Sequence, residues 1–184
     1  MRDIFFIFNT SRTMKRNKIV VRISFLILFL MMSASLNAQD VQKEINEQVW
    51  KPFIKNFNEH NTIGFMTVHS KDVTRSPRDS KSVWNWEEYN KEQATGDQQD
   101  IKEKRKRTLE LRFTERINSK DRAIDVGVYR TSYLLQDGSK QDYFGRFHVV
   151  LRREKGVWKI LVDMDSSEGD TIGEKEFLSA TSLE

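Results

Sequence analysis

The chain has 184 residues, with 31 lysines and arginines, 27 aspartates and glutamates and no cysteine, for a formal net charge of +4. The lack of cysteine excludes disulfides, thiol catalysis, thiolate metal sites and a lipid anchor on cysteine. The excess charge is local: Arg2, Arg12, Lys15, Arg16, Lys18 and Arg22 precede Ala38 against Asp3 alone, leaving 25 bases and 26 acids beyond it, so nothing global argues for nucleic acid or an anionic membrane as partner.

Lys15 to Arg22 form a positive region, Ile23 to Met32 an apolar core, and Ser33-Ala34-Ser35-Leu36-Asn37-Ala38 a small-residue exit. This is the pattern of a cleavable leader ending before Gln39. The apolar run falls short of the roughly 20 residues that a spanning helix needs. Met14 is the expected start of the leader, with Met1 to Thr13 ahead of it. The mature protein is therefore expected to be exported, periplasmic or secreted, without membrane attachment. The expected organisation is a leader at 1–38, a folded domain at 39–166 and a tail at 167–184.

Val41, Ile45, Val49, Phe53 and Phe57 recur every four residues and predict an amphipathic helix over Val41 to Asn58. Pro52 predicts a bend there or a second helix beginning at that point. Asn61 or Thr62 caps a short helix carrying Phe65, Met66 and His69. Val73-Thr74-Arg75 reads as a short strand. Asn85 with Glu88 forms a capping box that opens a polar helix through Trp86, Tyr89 and Gln93. Gly96-Asp97 is expected to end that helix, and 95–106 to form a charged connector.

After Arg107 the period changes to two. Leu109, Leu111, Phe113 and Ile117 share one face of a first strand. Strands follow over 123–135, 142–153 and Val157 to Asp165, with turns at Asn118-Ser119-Lys120-Asp121, Asp137-Gly138 and Glu154-Lys155-Gly156. Helices followed by a four-stranded antiparallel meander define an α+β domain. Residues 166–184 carry little pattern and are expected to trail over the surface.

The order of elements resembles the nuclear transport factor 2-like superfamily, which includes ketosteroid isomerases and SnoaL-like proteins. The residues that carry the resemblance are Ala123-Ile124-Asp125-Val126-Gly127-Val128-Tyr129, Gly145-Arg146-Phe147 and Gly156-Val157-Trp158-Lys159-Ile160-Leu161-Val162-Asp163. Upstream, Phe57-Asn58-Glu59-His60-Asn61 and Val68-His69-Ser70-Lys71-Asp72-Val73 fit the family's helix–helix–strand entry. The resemblance spans most of 41–166. It implies N-terminal helices packed in a strongly curved antiparallel sheet, a cone-shaped, cystatin-like fold with a pocket between them. It also implies a homodimer through the convex face. It implies no single activity. Relatives close to this pattern carry histidines at the positions of Val162 and Met164, both apolar here.

Strand alternation places Trp158, Ile160, Val162 and Met164 on one apolar face, taken as the concave side. Asp163 and Asp165 then fall on the outer face, about 6.6 Å apart at about 3.3 Å per residue, as two solvated acids or as paired carboxylates with a water between them. Asp125 and Tyr129 are expected on the concave side. Asp125 is a candidate general base, or else the partner of Arg112 or Arg116, and Tyr129 a candidate hydrogen-bond donor. The two lie about 13 Å apart along a strand. His69, expected near the pocket mouth, is a third catalytic candidate. Phe65, Trp84, Trp86, Tyr89, Tyr129, Trp158, Val162 and Met164 are the candidate ligand-binding residues. His60, His69 and His148 lack metal-ligand spacing, so no metal or other cofactor is expected. Lys102 to Arg107 read as a solvated basic connector.

The expected function is an exported, non-catalytic domain that binds a small apolar or aromatic ligand, or a protein partner. The alternatives are an acid–base enzyme of the ketosteroid isomerase or polyketide cyclase type, and a homodimeric assembly module.

Overall fold

The computed structural model describes residues 39–183, and the leader expected over 1–38 lies outside them. The unit that begins at Val41 opens with helix α1 (41–58). It is α-helical to residue 45, widens into a π-turn over Asn46–Trp50 and resumes as an α-helix over Lys51–Asn58. Pro52 explains the widening. It has no N–H to donate and its ring crowds the carbonyl four residues back, and the Lys51 N–H bonds to the Asn46 carbonyl one residue further away than α-geometry would use. The proline is thus absorbed without a break.

Helix α2 (Thr62–Met66) is capped by Asn61, whose side chain accepts from the Gly64 N–H at 3.1 Å. Strand β1 (His69–Pro77) follows, then helix α3 (Trp86–Lys102) behind the expected Asn85/Glu88 capping box. α3 does not stop at Gly96-Asp97. Asp97 and Asp100 turn inward onto Arg107, at 2.5 and 3.0 Å, and Thr62 and Gln93 also bond Asp97. These contacts outweigh the roughly 1 kcal/mol that a mid-helix glycine costs. The expected connector is therefore mostly helix, and Arg107 of the basic run is a buried anchor.

Strands β2 (Lys106–Asn118), β3 (Arg122–Leu134), β4 (Lys140–Glu154) and β5 (Val157–Ser166) form the expected antiparallel meander. The β4–β5 turn uses Lys155 and Gly156 at φ 49° and 88°, the left-handed pair that a two-residue hairpin turn requires. β1 adds in parallel to β5. The C-terminal segment is folded rather than trailing: helix α4 (Glu174–Ser179) leads into β6 (Thr181–Ser182), which pairs with β2. Ile172 and Phe177 bury against Val128 and Phe144 on the outer face of the sheet. The sheet order is β1-β5-β4-β3-β2-β6, a curved mixed sheet with α1, α2 and α3 on its inner side.

Two bulges decide which side chains face inward. Pairing of β2 with β3 shifts between Phe113 and Glu115, and pairing of β4 with β5 shifts between Val150 and Leu151, where Leu161 is the extra residue. One extra residue in a strand of period two exchanges its faces. Beyond the first bulge Arg116 turns inward to Asp125, and Ile117 is 54% exposed. Beyond the second, Asp163 and Asp165 turn inward, while Val162 and Met164 turn out.

Candidate functional site

A cavity of about 370 Å³ lies between the helices and the concave face of the sheet. Trp50, Phe53 and Phe57 of α1 and Phe65 of α2 form one apolar wall. Leu109 and Leu111 of β2, with Phe147 and Val149 of β4, form the other. The aromatic wall is braced by ring contacts, edge-on between Trp50 and Phe53 at 5.7 Å and tilted between Phe53 and Phe65 at 4.6 Å. Glu92 and Gly96 of α3 sit at the rim, where both are exposed.

One end of the cavity is polar. Arg75 from β1 places Nη1 2.7 Å from Asp165 Oδ1 and 3.8 Å from Asp163 Oδ1. Tyr89 donates its phenol hydrogen to Asp163 Oδ2 at 2.8 Å, and His69 Nε2 stands 3.7 Å from the same oxygen. The other His69 nitrogen, Nδ1, lies 3.1 Å from the Phe65 carbonyl. Tyr129 from β3 reaches Asp165. Arg75 Nε is buried with no hydrogen-bond partner among the described residues.

The two carboxyl groups are driven apart. Burial pushes Asp163 up, but Arg75, His69 and Tyr89 together outweigh it and hold it at about 2. Asp165 is raised, chiefly by burial, with Arg75 opposing and Asp163 and Asp79 reinforcing. Burial and the neighbouring carboxylates hold the phenols of Tyr89 and Tyr129 above their ordinary range. Arg75 is desolvated, yet Asp163, Tyr89 and Asp165 keep it a cation.

Two glycine–aromatic pairs shape the floor. Tyr129 is paired across strands with Gly145, and Phe147 with Gly127. A Cβ on Gly145 would lie 2.5 Å from the Tyr129 hydroxyl, and one on Gly127 would lie 2.5 Å from the Phe147 ring. Each ring lies over the glycine opposite, so the missing side chains make room for the cavity floor.

Of the expected ligand-binding residues, Phe65, Trp84, Tyr89 and Tyr129 line the cavity. Trp86 does not; it packs at the edge of the core beneath the Lys71 ammonium, 3.0 Å above its ring. Trp158 is fully buried in the core. Val162 and Met164 lie on the convex face, because the bulge at Leu161 exchanged them with Asp163 and Asp165. His69 is buried behind Asp163 rather than near the mouth.

Asp125 is on the concave side but outside the cavity lining. It accepts from Trp50 Nε1 at 2.7 Å and is held by Arg116 through two bonds of 3.1 and 3.0 Å. It is a positioning residue for the Trp50 ring. Arg75 was not singled out by its sequence context, because nothing in the sequence marks β1 as the parallel neighbour of β5. Among the described residues, no group of three or more His, Asp or Glu is placed to hold a metal ion.

No protein-family model and no curated protein matches the chain. Solved structures do. A protein from Novosphingobium aromaticivorans, nuclear transport factor 2-like with a cystatin-like fold, superposes with a TM-score of 0.61 at 9% identity, covering 73% of this chain and 86% of that one. A conserved protein from Planctomyces limnophilus gives 0.60 at 13% identity, over 70% and 96%. A nuclear transport factor 2-like protein of unknown function from Shewanella oneidensis gives 0.52 at 18%, over 65% and 93%. The chain has the nuclear transport factor 2-like fold, and at these identities the likeness concerns the fold alone.

Proposed function

We propose that this is an exported domain that binds a small, flat, largely apolar molecule carrying one polar group. The observation that supports it is the cavity itself, whose aromatic walls converge on the polar cluster of Arg75, Tyr129 and Asp165. Apolar walls supply affinity and a few fixed polar groups supply orientation. Arg75 brings a guanidinium to that end and Asp165 a carboxyl of raised pKa, so a hydroxyl or carbonyl group is the complementary partner. The test uses 2-naphthol, titrated by calorimetry against the protein and against Gly96→Trp, which narrows the rim. Saturable binding that the variant weakens is expected. No binding by the unaltered protein would overturn the proposal.

A second reading, acid–base catalysis, is favoured by one observation: Asp163 and Asp165 share a cavity wall with their pKa values pushed in opposite directions. Asp165, not Asp125, would be the proton-transferring group, with Tyr129 as hydrogen-bond donor. Exchange of the α-hydrogens of 2-tetralone for deuterium, followed by NMR, tests it. Exchange that the protein accelerates and Asp165→Asn abolishes supports catalysis; exchange at the buffer rate leaves only binding.

A further inference from the structure

The cavity has a neighbour. A second space of about 370 Å³ is lined by Arg105, Tyr133, Leu135, Gln141 and Tyr143, and it shares Tyr129 and Thr131 with the first. We infer that the two form one bipartite site, in which the second space takes a neutral, polyhydroxylated group attached to the apolar body held by the first. The inference rests on the proposed binding role of the main cavity.

The shared residues set the two spaces side by side along one strand. Tyr129, Thr131 and Tyr133 alternate on the concave face of β3, and Tyr133 lies about 13 Å from Tyr129 at about 3.3 Å per residue. Thr131 is paired across strands with Tyr143, and Tyr133 with Gln141, so four of the lining residues form two adjacent rungs. A ligand spanning both spaces is elongated and lies along β3.

The chemistry changes along that line. The first space is walled mostly by Trp, Phe and Leu, with Gln93 and Arg107 adding polar groups; the second presents phenols, a hydroxyl, an amide and a guanidinium beside one leucine, Leu135. Tyr133 and Tyr143 meet edge to face, with centroids 5.9 Å apart. Such a pair offers a ring face to the C–H side of a sugar-like ring, and because the Tyr133 hydroxyl already meets Arg107, it is the Tyr143 phenol that meets the sugar's hydroxyls. Gln141 adds both a donor and an acceptor.

Arg105 does not make the second space anion-selective. Its Nε lies 3.3 Å from Asp100 Oδ1, and its Nη2 lies 2.5 Å from Glu103 Oε2. Two carboxylates already answer its charge, so a neutral polar group is the better match. Tyr143 is 48% exposed, which leaves this end of the site open to a bulky substituent.

The experiment compares 2-naphthol with 2-naphthyl β-D-glucoside on the unaltered protein and on Gln141→Ala/Tyr143→Ala. Both substituted residues are exposed, so the fold should tolerate the change. The glucoside is expected to bind about tenfold more tightly than 2-naphthol, the gain of one or two well-placed hydrogen bonds, and to lose that advantage in the variant. Binding of 2-naphthol itself should not change. A glucoside that binds no tighter than 2-naphthol, or whose advantage survives in the variant, would overturn the inference while leaving the main cavity's role intact. Failure of both probes would remove that role and this one together.

Discussion

The ring of Tyr129 lies across Gly145, its partner on the neighbouring strand, and its hydroxyl reaches on to Asp165. The position of the phenol therefore depends on a side chain that is missing. Phe147 lies over Gly127 in the same way one rung along.

Alanine at either glycine is expected to be destabilising, with a difference between the two. At Gly145 the new methyl would meet the Tyr129 side chain, which can move at the expense of its contact with Asp165. At Gly127 it would lie 2.0 Å from the Arg112 carbonyl, which is backbone and cannot swing away. Overpacking costs about 1–3 kcal/mol. Urea denaturation should place Gly145→Ala near the bottom of that range and Gly127→Ala at or above the top. Equal costs would mean that the sheet yields as readily as a side chain.

Arg75 is the cation that makes two inward carboxyl groups tolerable. Arg75→Met leaves both without it, and removal of one partner from a buried charge pair costs about 3–5 kcal/mol. Adding Asp163→Asn should recover part of that loss. A double variant no more stable than Arg75→Met alone would show that the pairing with Asp163 contributes little.

The pH dependence has a defined sign. The unfolded Asp carboxyl titrates near about 4, and Asp163 in the fold at about 2. A depressed folded value means that the carboxylate stabilises the fold fully above the unfolded value. That contribution, about 2 kcal/mol, is lost as pH falls from about 4 towards 2. Asp165, raised in the fold, acts in the opposite sense: stability declines as pH rises above its unfolded value. Asp163→Asn should flatten the acid limb of the stability–pH profile and Asp165→Asn should not. An acid limb unchanged by Asp163→Asn would count against the assignment.

The convex face carries an apolar patch. Ile124, Val150 and Val162 are partners in register across β3, β4 and β5, Val126 and Met164 flank His148 in the next rung, and all are at least partly exposed. α4 covers the adjoining part of that face around Val128. We expect a homodimer through the uncovered part, burying at least about 1,000 Å². Sedimentation velocity should show a dimer that Met164→Glu converts to monomer. A monomeric unaltered protein would end the expectation.

The order of elements was legible because period, caps and turns are local properties. The helix with Pro52, the Asn85/Glu88 box and the Lys155-Gly156 turn each announce themselves within a few residues. What the sequence hid is register. Period-two alternation from Trp158 to Met164 looks unbroken, yet Leu161 is an extra residue in the ladder, so acids expected in solvent line the cavity and apolar residues expected inside face out. Thr114 does the same ahead of Arg116 and Ile117. A bulge has no obligatory residue type, so no composition rule finds it. Gly127 and Gly145 were the available sign of close approach inside strands. The parallel pairing of β1 with β5, which brings Arg75 to the site, joins segments nearly ninety residues apart and leaves no local trace.

The two-residue strand β6 has a consequence beyond its length. It lies along the outer rim of β2 at Arg112 and Phe113, and Trp84 bridges the opposite rim of the sheet at Arg75. Each rim would otherwise present a row of free backbone donors and acceptors, the template on which identical chains add to one another. Phe177, with the guanidinium groups of Arg112 and Arg130 each 4.9 Å from its ring centre, fastens the segment that carries β6. Loss of that one ring would leave the cavity untouched and release a guard against edge-to-edge polymerisation.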